Sequence, residues 1–403
     1  MKNLETLINE LCPEGVEFVK LVKYATVQYG YPFDSKQFSE DEKFIPLIRI
    51  RDVLPAKPST YYSGEYLKEY IVTKGDMLVG MDGNFNMEKW NNRDGLLNQR
   101  VCKIYTKDET ILLDGFLYHY LRPLFKKIEN SIQGSTVKHL SAKVINKIEI
   151  PLPPIEVQTE IVRILDKFTS LEAELEAELD CRKRQYEYYR EKLLSFDNVG
   201  GQEVEWKKMS EVGTFIRGNG LQKKDFTEEG VGCIHYGQLY THYGTSATET
   251  ITYCSSELAK KLRKAAKGDI VIATTSENVE DVCKAVAWLG EEEIAVSGDA
   301  FIYKHTQNPK YMAYLFQTAS FFNYKKKKAT GTKVIRLTGD AMGNYLAPIP
   351  SLEEQQRIVS ILDRFESLTT SLQSGLPAEI AARRQQYEHY RDKLLTFKRK
   401  GAV

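Results

Sequence analysis

An internal duplication constrains this chain more than any other feature of its sequence. Residues 151–171 and 348–368 are identical at 12 of 21 aligned positions, and residues 182–196 and 383–397 at 10 of 15. Weaker matches upstream pair VEFVKL (16–21) with VEWKKM (204–209), KGDMLVG (74–80) with KGDIVIA (267–273), and GSTVKHLS (134–141) with GTKVIRLT (331–338). The chain is therefore a tandem duplication, in which a variable block of about 150 residues precedes a preserved block of about 45 in each copy.

The two preserved blocks have the pattern of long helices. Apolar residues recur at steps of three and four across 161–196 and again across 358–397, which is typical of a coiled coil or a helix pair. Pro377, with Gly375 beside it, is expected to interrupt the second helix. A helix of about 42 residues is roughly 60 Å long. It cannot bury its apolar stripe alone, so we expect its partner to be its own repeat.

The two variable blocks have a mixed pattern. Short apolar runs predict strands at 44–50, 71–81, 101–106 and 267–274, and amphipathic segments predict helices at 113–125 and 309–322. The predicted fold class is α+β, with two globular domains that contain twisted mixed or antiparallel sheets and are separated by two long helices. The predicted domains are 1–150 and 199–347, which are variable, and 151–198 and 348–403, which are helical.

Composition excludes several classes of protein. Hydrophobic residues make up 42% and charged residues 28% of the chain, which excludes a disordered polypeptide. No apolar run is long enough for a membrane span, and residues 1–5 do not resemble a signal peptide. The six cysteines form no CxxC pair, so neither a zinc site nor a disulfide framework is indicated. We therefore expect a cytoplasmic bacterial or archaeal protein, associated with the nucleoid.

Sequence motifs for catalysis are missing. The chain has no GxxxxGK[ST], no GxGxxG after a strand, no HExxH, and no Asn-Pro-Pro-Tyr segment of the kind that amino-methyltransferases use. We expect a non-catalytic protein that holds neither a cofactor nor a metal ion. The formal net charge is only +1, so any DNA-binding surface must be local, with partners supplying further phosphate contacts.

Both variable blocks contain clusters of side chains that can read base edges or bind phosphates. Arginine can make two hydrogen bonds to guanine, and asparagine or glutamine can do so with adenine. A turn or solvated-loop role remains the alternative for each residue, but the clusters recur at equivalent places in both copies. The candidates are Arg49, Arg51, Asn84, Asn86, Lys89, Asn91, Arg93, Gln99, Arg100, Gln133, Ser135 and Lys138 in the first block, and Arg217, Asn219, Gln222, Lys223, Lys224, Gln238, Thr275, Ser276, Asn278, Lys326, Lys328 and Lys333 in the second.

Two further features have two interpretations each. The basic run at 325–328, followed by Thr330, Gly331 and Thr332, suits phosphate oxygens, although a solvated helix face is the alternative. The tetrapeptide LEAE occurs twice in succession, at 171–174 and 175–178. It is either an ordinary solvated helix with a leucine seam or an adjustable spacer, because one added unit lengthens a helix by about 6 Å and turns it by about 40°.

The repeated helical segments resemble the specificity subunit of type I restriction–modification systems, most closely its IC-like branch. The resemblance lies in EIVRILDKFTSL (160–171), the LEAELEAEL tract (171–179) and RKRQYEYYREKLLSF (182–196), together with EEQQRIVSILDRFESL (353–368) and RRQQYEHYRDKLLTF (383–397). It covers the full length of the chain. The helical motifs are specific, whereas the variable blocks match only in layout.

The resemblance implies a DNA-reading subunit without catalysis of its own. In that family each recognition domain reads one half of a bipartite, asymmetric site in double-stranded DNA through the major groove. The two helices pack antiparallel as a coiled coil around a pseudo-two-fold axis, and the tetrapeptide tract sets the gap between the half-sites. Two modification subunits bind S-adenosylmethionine and methylate adenine, and restriction subunits add translocation and cleavage driven by ATP and Mg²⁺. No membrane partner is implied.

The exposed helical faces would then dock the modification subunits. Candidate docking residues are Gln158, Arg163, Tyr188, Tyr189, Gln355 and Arg357, although support of the coiled coil is an alternative role for each. Two other functions compete with DNA recognition. The missing methyltransferase motif argues against a self-sufficient methyltransferase or nuclease, and the paired polar loops argue against a scaffold that never touches DNA.

Overall fold

The computed structural model describes residues 4–132, 138–196, 204–371 and 374–401 of the 403-residue chain. It divides into two units, which are considered one at a time. Unit 1 comprises Met1–Glu174 and Ile380–Val403, and unit 2 comprises Leu175–Glu379. Each unit therefore combines one variable block with parts of both preserved blocks. The division falls between the two LEAE tetrapeptides.

The first variable block forms short strands and helices in the order that follows. They are α1 (Leu4–Leu11), β1 (Glu17–Lys20), α2 (Leu21–Tyr24), β2 (Ala25–Tyr29), β3 (Phe38–Ser39), β4 (Ile45–Ile48), α3 (Ile50–Val53), β5 (Tyr61–Tyr62), β6 (Ile71–Val72), β7 (Met77–Gly80), β8 (Met87–Lys89), β9 (Gly95–Leu97), β10 (Val101–Thr106), α4 (Asp114–Ser131), α5 (Ala142–Ile145) and β11 (Glu149–Leu152). Short 3-10 turns lie at Ser35–Gln37 and Lys68–Tyr70.

Two sheets and a ribbon organise this block. One sheet is antiparallel, in the order β2-β10-β7-β8, and the other is mixed, in the order β3-β5-β4-β9-β6 with β4 parallel to β9. Strands β1 and β11 pair as a separate ribbon. Strand β7 is buried on both faces, because Met77 and Val79 join the core beneath α4 while Leu78 packs with Trp90 and Leu97. This double burial explains its uninterrupted apolar sequence.

The predicted long helix is confirmed as α6 (Ile155–Ser195), which has 41 residues. It begins directly after the Pro153-Pro154 pair, with Glu156 in its first turn, where an acidic side chain complements the helix dipole. Each unit contains part of this helix, so the sequence blocks and the structural units do not share boundaries.

The second variable block and the second preserved block complete the chain. Their elements are β12 (Glu205–Lys208), α7 (Met209–Val212), β13 (Gly213–Arg217), β14 (Phe226–Thr227), β15 (Val231–Ile234), α8 (Tyr236–Thr241), β16 (Ser246–Ala247), β17 (Thr252–Cys254), α9 (Ser256–Ala259), β18 (Lys264–Ala265), β19 (Ile270–Ala273), β20 (Thr275–Ser276), β21 (Ala285–Trp288), β22 (Ile294–Val296), β23 (Ala300–His305), α10 (Pro309–Leu315), α11 (Ala319–Lys328), β24 (Ile335–Arg336), α12 (Gly339–Gly343), β25 (Leu346–Ile349), α13 (Leu352–Thr370) and α14 (Leu376–Leu394). A 3-10 turn lies at Lys223–Asp225.

Unit 2 repeats the sheet plan of unit 1. Its sheets have the orders β13-β23-β19-β21-β16 and β14-β17-β15-β22-β18, and β12 pairs with β25 as a ribbon. Strands β15 and β22 are parallel, as are their counterparts β4 and β9. The predicted mixed α+β domains are therefore confirmed. The segment predicted as one helix at 309–322 is instead two helices, because Thr318 caps α11 by accepting a hydrogen bond from the Phe321 amide.

The preserved helices pair within each unit. In unit 1, Phe168 stacks on Tyr390 with ring centroids 5.3 Å apart, and Glu172 forms an ion pair with Arg384. The residue numbers run in opposite directions, so α6 and α14 are antiparallel there, as predicted. In unit 2, Tyr189 of α6 stacks on Phe365 of α13 at 5.4 Å.

The predicted interruption near Pro377 is confirmed, because α13 ends at Thr370 and α14 starts at Leu376. Proline is tolerated in the first turn of α14, where its missing N–H has no helical partner to lose. Among the described residues, the helices lack an apolar stretch of the length needed for a membrane span.

Candidate nucleic-acid interface

Several loops of unit 1 meet at one edge of its sheets. Strands β4 and β9 are parallel, so their carboxyl ends, Ile48 and Leu97, lie at the same edge. Strand β7 ends at Gly80, which pairs with Val101 at the start of β10. The segments that follow these ends are 49–52, which includes the start of α3, 81–86 and 98–100. We name this set of loops, together with residues 30–31 and 138–140, loop edge 1.

Backbone hydrogen bonds tie the members of loop edge 1 together. The Asn98 amide donates to the Ile48 carbonyl at 3.3 Å, the Gln99 amide to Tyr31 at 2.9 Å, and the Met81 amide to Arg100 at 2.9 Å. Glycine permits the closest approach, because a Cβ atom on Gly30 would lie only 2.0 Å from the Asn98 carbonyl oxygen. The edge is thus a connected surface built from separate parts of the sequence.

A carboxylate lies at the centre of loop edge 1. Asp82 accepts a hydrogen bond from His139 Nδ1 and pairs with Arg100, whose Nη1 lies 3.1 Å from Asp82 Oδ2. The Arg100 side chain is 65% exposed, whereas Asp82 is only 15% exposed. The Lys138 carbonyl accepts a hydrogen bond from Gly83 at 2.7 Å. The loop that carries Asn84 is therefore held against the 138–140 segment.

Unit 2 forms the equivalent surface, which we name loop edge 2: residues 217–219, 235–238, 274–278, 297–299 and 330–336. The Ser297 amide donates to the Ile234 carbonyl at 3.1 Å, and the Thr274 amide to Asp299 at 3.1 Å. The backbone of Thr275 in β20 pairs with that of Arg336 in β24. This pairing corresponds to the backbone bridge between Asp82 and His139 in unit 1. A Cβ atom on Gly218 would lie 2.2 Å from the Ser297 carbonyl oxygen, so the close glycine contact is also repeated.

An arginine is presented from loop edge 2 as well. Arg217 is 62% exposed, and its Nη2 lies 3.6 Å from Asp299 Oδ1. Its Nε donates to the Gly298 carbonyl at 2.7 Å.

On the same edge, burial lowers the pKa of His235, and the positive charge of Lys223 lowers it further. His235 is therefore neutral at physiological pH.

The structure brings most of the predicted DNA-reading residues to these two edges. Loop edge 1 holds Arg49, Arg51, Asn84, Asn86, Gln99, Arg100 and Lys138, and loop edge 2 holds Arg217, Asn219, Gln238, Thr275, Ser276, Asn278 and Lys333. Gln222, Lys223 and Lys224 follow loop edge 2 directly in the chain and are exposed. Gln133 and Ser135 lie outside the described residues. DNA contact by each of these residues stays a prediction.

Three predicted residues lie away from loop edge 1. Lys89 pairs with Met77, at the amino end of β7, so residues 89–93 lie at the opposite end of that strand. The Lys89 ammonium lies over the Tyr118 ring, 4.9 Å from its centroid. The Arg93 guanidinium donates to backbone carbonyls and covers the ring of Tyr61. Lys89, Asn91 and Arg93 therefore lie apart from the candidates on loop edge 1, and DNA contact by them stays a prediction.

Several amides on loop edge 2 already have partners inside the fold. Asn219 accepts a hydrogen bond from the Arg263 amide and donates to the Lys261 carbonyl. Gln238 accepts from the His235 amide at 2.8 Å and donates to Thr252 Oγ1 at 3.0 Å. These side chains fix the shape of the loops.

The basic run at 325–328 has two different environments. Lys325 is buried and donates to the carbonyls of Glu280 and Val282 at 2.7 Å each. Burial lowers its pKa. The predicted phosphate role is therefore wrong for Lys325, whereas Lys326 and Lys328 are exposed and lie free of ion pairs among the described residues.

Two of the predicted docking residues are buried. Gln158 accepts a hydrogen bond from the Leu113 amide at 2.9 Å and donates to the carbonyls of Ile111 and Pro153. Gln355 accepts from the Asn308 amide at 3.0 Å and donates to the Pro350 carbonyl. Both are fully buried, so their assignment to exposed helical faces is wrong: each joins its variable block to the start of a preserved helix.

The remaining docking candidates are exposed. Arg163 and Arg357 each pair with a glutamate of their own helix, Glu160 and Glu354. Tyr188 is 59% exposed and Tyr189 is 40% exposed. Their role in docking stays a prediction.

Sequence analysis missed a second junction between each variable block and the helices. In unit 1, His119 of α4 lies between Asp166 of α6 and Tyr387 of α14, at 2.8 and 2.9 Å. In unit 2, the hydroxyl of Tyr314 lies 2.8 Å from both Asp363 and Glu366 of α13. Asp166 and Asp363 occupy the same position of the repeat, and that coincidence is the sequence signal for this junction.

Both edges contain acidic side chains. Among the residues that the structure describes, no three His, Cys, Asp or Glu side chains are placed to hold a metal ion. Asp82 and Asp299 each face an arginine, and Asp82 also contacts His139.

Two similar α+β units, each with a polar loop edge and each containing part of α6, define a chain with two equivalent modules. A family profile, the type I restriction modification DNA specificity domain, matches residues 13–180 and 202–382. The chain belongs to this family, and it contains two copies of the domain.

Relatives described as type I specificity subunits agree with this membership. The type I restriction enzyme EcoR124I/EcoR124II specificity subunit of Escherichia coli is 32% identical over 352 residues, which cover 85% of each chain. The putative type I restriction enzyme specificity subunit S.HindORF215P of Haemophilus influenzae is 30% identical over 370 residues, covering 84% of this chain and 88% of the relative.

Solved structures share the fold. The S subunit of a type I restriction–modification system from M. genitalium matches with a TM-score of 0.54 at 15% identity, covering 94% of this chain and 96% of that one. A chain from a structure describing complex assembly and conformational transition of the type I R-M system matches with a TM-score of 0.56 at 17% identity, covering 94% and 97%.

Proposed function

We propose that this chain is the DNA sequence-recognition subunit of a type I restriction–modification complex. Loop edge 1 reads one half of a bipartite, asymmetric site through the major groove, and loop edge 2 reads the other half. The repetition of one connected polar edge on two units is the observation that carries this proposal. The different side chains at the two edges, such as Asp82 and its counterpart Thr275, fit two different half-sites.

The proposal assigns catalysis to partner subunits. Two modification subunits dock on the exposed helical faces and use S-adenosylmethionine to methylate adenine, and restriction subunits use ATP and Mg²⁺. The near-neutral charge of this chain, +1 in total, supports a division of labour in which partners supply many of the phosphate contacts. Such a complex works on double-stranded DNA in the cytoplasm.

Mapping of methylated adenine tests the proposal. The chain is co-expressed with its cognate modification subunit in a host without adenine methylation, and the genome is read by long-read sequencing. We expect one motif that consists of two short half-sites around a fixed gap. A stable complex without any methylated motif would contradict the proposal and favour the scaffold function.

The isolated chain provides the control. Incubated with S-adenosylmethionine and DNA that contains the motif, it should transfer no methyl group. The purified modification subunit alone should not reproduce the motif. Methylation by the chain alone would show that it is an enzyme in its own right and would contradict the assignment of catalysis to partners.

A further inference from the structure

Each loop edge presents an exposed arginine beside a carboxylate. Arg51 of loop edge 1 also faces an acid, Asp52, but its guanidinium already donates to Ser59 and Thr60. Arg100 is 65% exposed and lies 3.1 Å from Asp82, which is mostly buried. Arg217 is 62% exposed and lies 3.6 Å from Asp299. In both pairs the acid lies beside one terminal guanidinium nitrogen, Nη1 of Arg100 and Nη2 of Arg217, and the other terminal nitrogen remains available to a ligand.

The backbone restricts both arginines further. Arg100 has a φ of +69°, in the left-handed region that non-glycine residues rarely adopt. Its carbonyl is fixed by a hydrogen bond from the Met81 amide. The Arg217 guanidinium donates through Nε to the Gly298 carbonyl, and the Arg217 carbonyl accepts from Arg263 at 2.6 Å. The Arg217 side chain is therefore oriented before any ligand arrives, and the Arg100 side chain leaves a fixed backbone position.

The two pairs exchange the roles of equivalent positions. Arg100 immediately precedes β10, and Asp299 immediately precedes the equivalent strand β23. Unit 1 thus places its arginine where unit 2 places its acid, and the unit 2 arginine stands instead at the end of β13. A carboxylate–arginine pair is built at each edge although the residues come from different strands.

A neighbouring carboxylate favours a base over a phosphate as the target of these arginines. Aspartate repels the phosphate oxygens, whereas guanine O6 and N7 are uncharged acceptors that suit a fixed guanidinium. The exposed Lys328 and Lys333 differ, because neither has an ion pair among the described residues. They are better suited to phosphate, which positions a protein without reading sequence.

We propose that Arg100 and Arg217 are specificity-determining residues, each contacting a guanine in one half of the bipartite site. The inference rests on the proposed function and names the residues that carry it out. Asp82 and Asp299 are positioning residues that act through these arginines.

The test replaces each arginine in the co-expressed methyltransferase complex and maps the methylated motif. R100A should relax one guanine position in one half-site and leave the other half-site unchanged. R217A should relax one guanine position in the other half-site only. The expected loss of discrimination at that position is roughly 5- to 150-fold, the range for one bidentate contact.

Conservative and matched variants distinguish loss of base recognition from loss of positive charge and from loss of folding. R100K and R217K keep the charge but lose the paired donors, so they should relax the same positions as the alanine variants. K333A should weaken binding to all sequences alike and lower the salt dependence of binding, with the motif unchanged. DNA with 7-deazaguanine at the assigned position should bind the wild type less tightly and the arginine variant equally well.

The outcomes distinguish this inference from the proposed function. A wild-type motif with a half-site that contains no G·C base pair would overturn the inference while leaving the proposed function intact. Arginine variants that reduce methylation at all sites equally, with an unchanged motif, would show phosphate contacts and also overturn it. Absence of any wild-type motif would instead contradict the proposed function.

Discussion

The two units attach their variable blocks to the helices at the same positions but with different chemistry. Unit 1 places an imidazole, His119, between Asp166 and Tyr387. Unit 2 places a phenol, Tyr314, against Asp363. Asp166 and Asp363 occupy the same position of the repeat, whereas the side chains that meet them, His119 and Tyr314, come from the variable blocks. The helical acid is therefore retained while its hydrogen-bond donor differs.

The difference also changes how the two junctions respond to pH. The His119 side chain is fully buried, and burial lowers its pKa although the hydrogen bond with Asp166 opposes this effect. The same hydrogen bond lowers the pKa of Asp166. A neutral imidazole that donates to Asp166 and accepts from Tyr387 satisfies both contacts; this tautomer follows from the partners. Tyr314, in contrast, has a pKa raised by burial and stays neutral throughout the physiological range.

The largest effect is expected at the junctions made by Gln158 and Gln355, which are alike in the two units. Q158L and Q355L each remove a buried amide that has three hydrogen bonds, which leaves buried backbone groups unpaired. Each should lower the free energy of unfolding by about 4 kcal/mol. Denaturant titration measures this loss, with Q385L on the exposed side of α14 as the control. A small effect of either variant would break the equivalence of the two junctions.

A pH-dependent effect is expected in unit 2 at His305, whose counterpart in unit 1 is Thr106. Burial lowers the pKa of His305 to about 4. Since an unfolded histidine titrates near 6.5, the unfolded chain binds the proton first, and stability falls as the pH drops from about 6.5 to 4. The loss should reach about 3 kcal/mol.

H305T places the unit 1 residue at this position and should remove most of that pH dependence. Thermal unfolding followed at pH 7.5, 6, 5 and 4 measures it, with H242T at an exposed histidine as the control. Identical pH profiles of the wild type and H305T would contradict the prediction.

A third effect separates the two junction side chains. Y314F removes the hydroxyl that faces two carboxylates and should cost about 1–2 kcal/mol, with little change between pH 5.5 and 8. H119F should cost a similar amount at pH 8. Because the pKa of His119 is lowered in the folded chain, the advantage of the wild type over H119F should shrink as the pH falls below about 6.5.

Scanning calorimetry of both variants at pH 5.5 and pH 8 measures these differences. Parallel pH dependence of Y314F and H119F would mean that the two junctions are chemically equivalent after all.

The smallest expected change concerns the tract where the two units divide. Deletion of residues 175–178 removes one LEAE copy, which shortens α6 by about 6 Å and turns it by about 40°. This angle is close to the roughly 34° per base pair that follows from about 10.5 base pairs per turn. The methylated motif of the variant should keep both half-sites with a gap shorter by about one base pair. An unchanged gap would assign the tetrapeptides to an ordinary helix surface.

Much of the fold could be predicted because it depends on local or repeated patterns. The period of three and four in the preserved blocks predicts α6, and Pro377 predicts the break between α13 and α14. The apolar runs at 71–81 and 267–274 predict β7 and β19, since strands buried on both faces need no alternation. The two copies within this chain can be aligned with each other, and this alignment identifies equivalent elements without a second protein sequence.

The composition of the loop edges could be predicted only in part. Residues that directly follow β4, β7 and β9 meet at one edge of the sheets. The sequence predicted each of these segments to be polar. Lys89, Asn91 and Arg93 belong to a polar loop as well, but the β7–β8 hairpin returns them to the opposite end of the sheet. The polar character of a loop is local, whereas the edge at which it lies depends on the direction of its strand.

The duplication, the long helices and the mixed domains can be predicted from order and periodicity along the chain, and the family from the resemblance of its repeated helical motifs. In contrast, contacts in the folded chain are needed to show that Gln158, Gln355 and Lys325 are buried, that Asp82 lies beside Arg100, and that His119 and Tyr314 are counterparts. These facts depend on contacts between residues distant in sequence, where burial turns a polar side chain from a surface group into a structural partner.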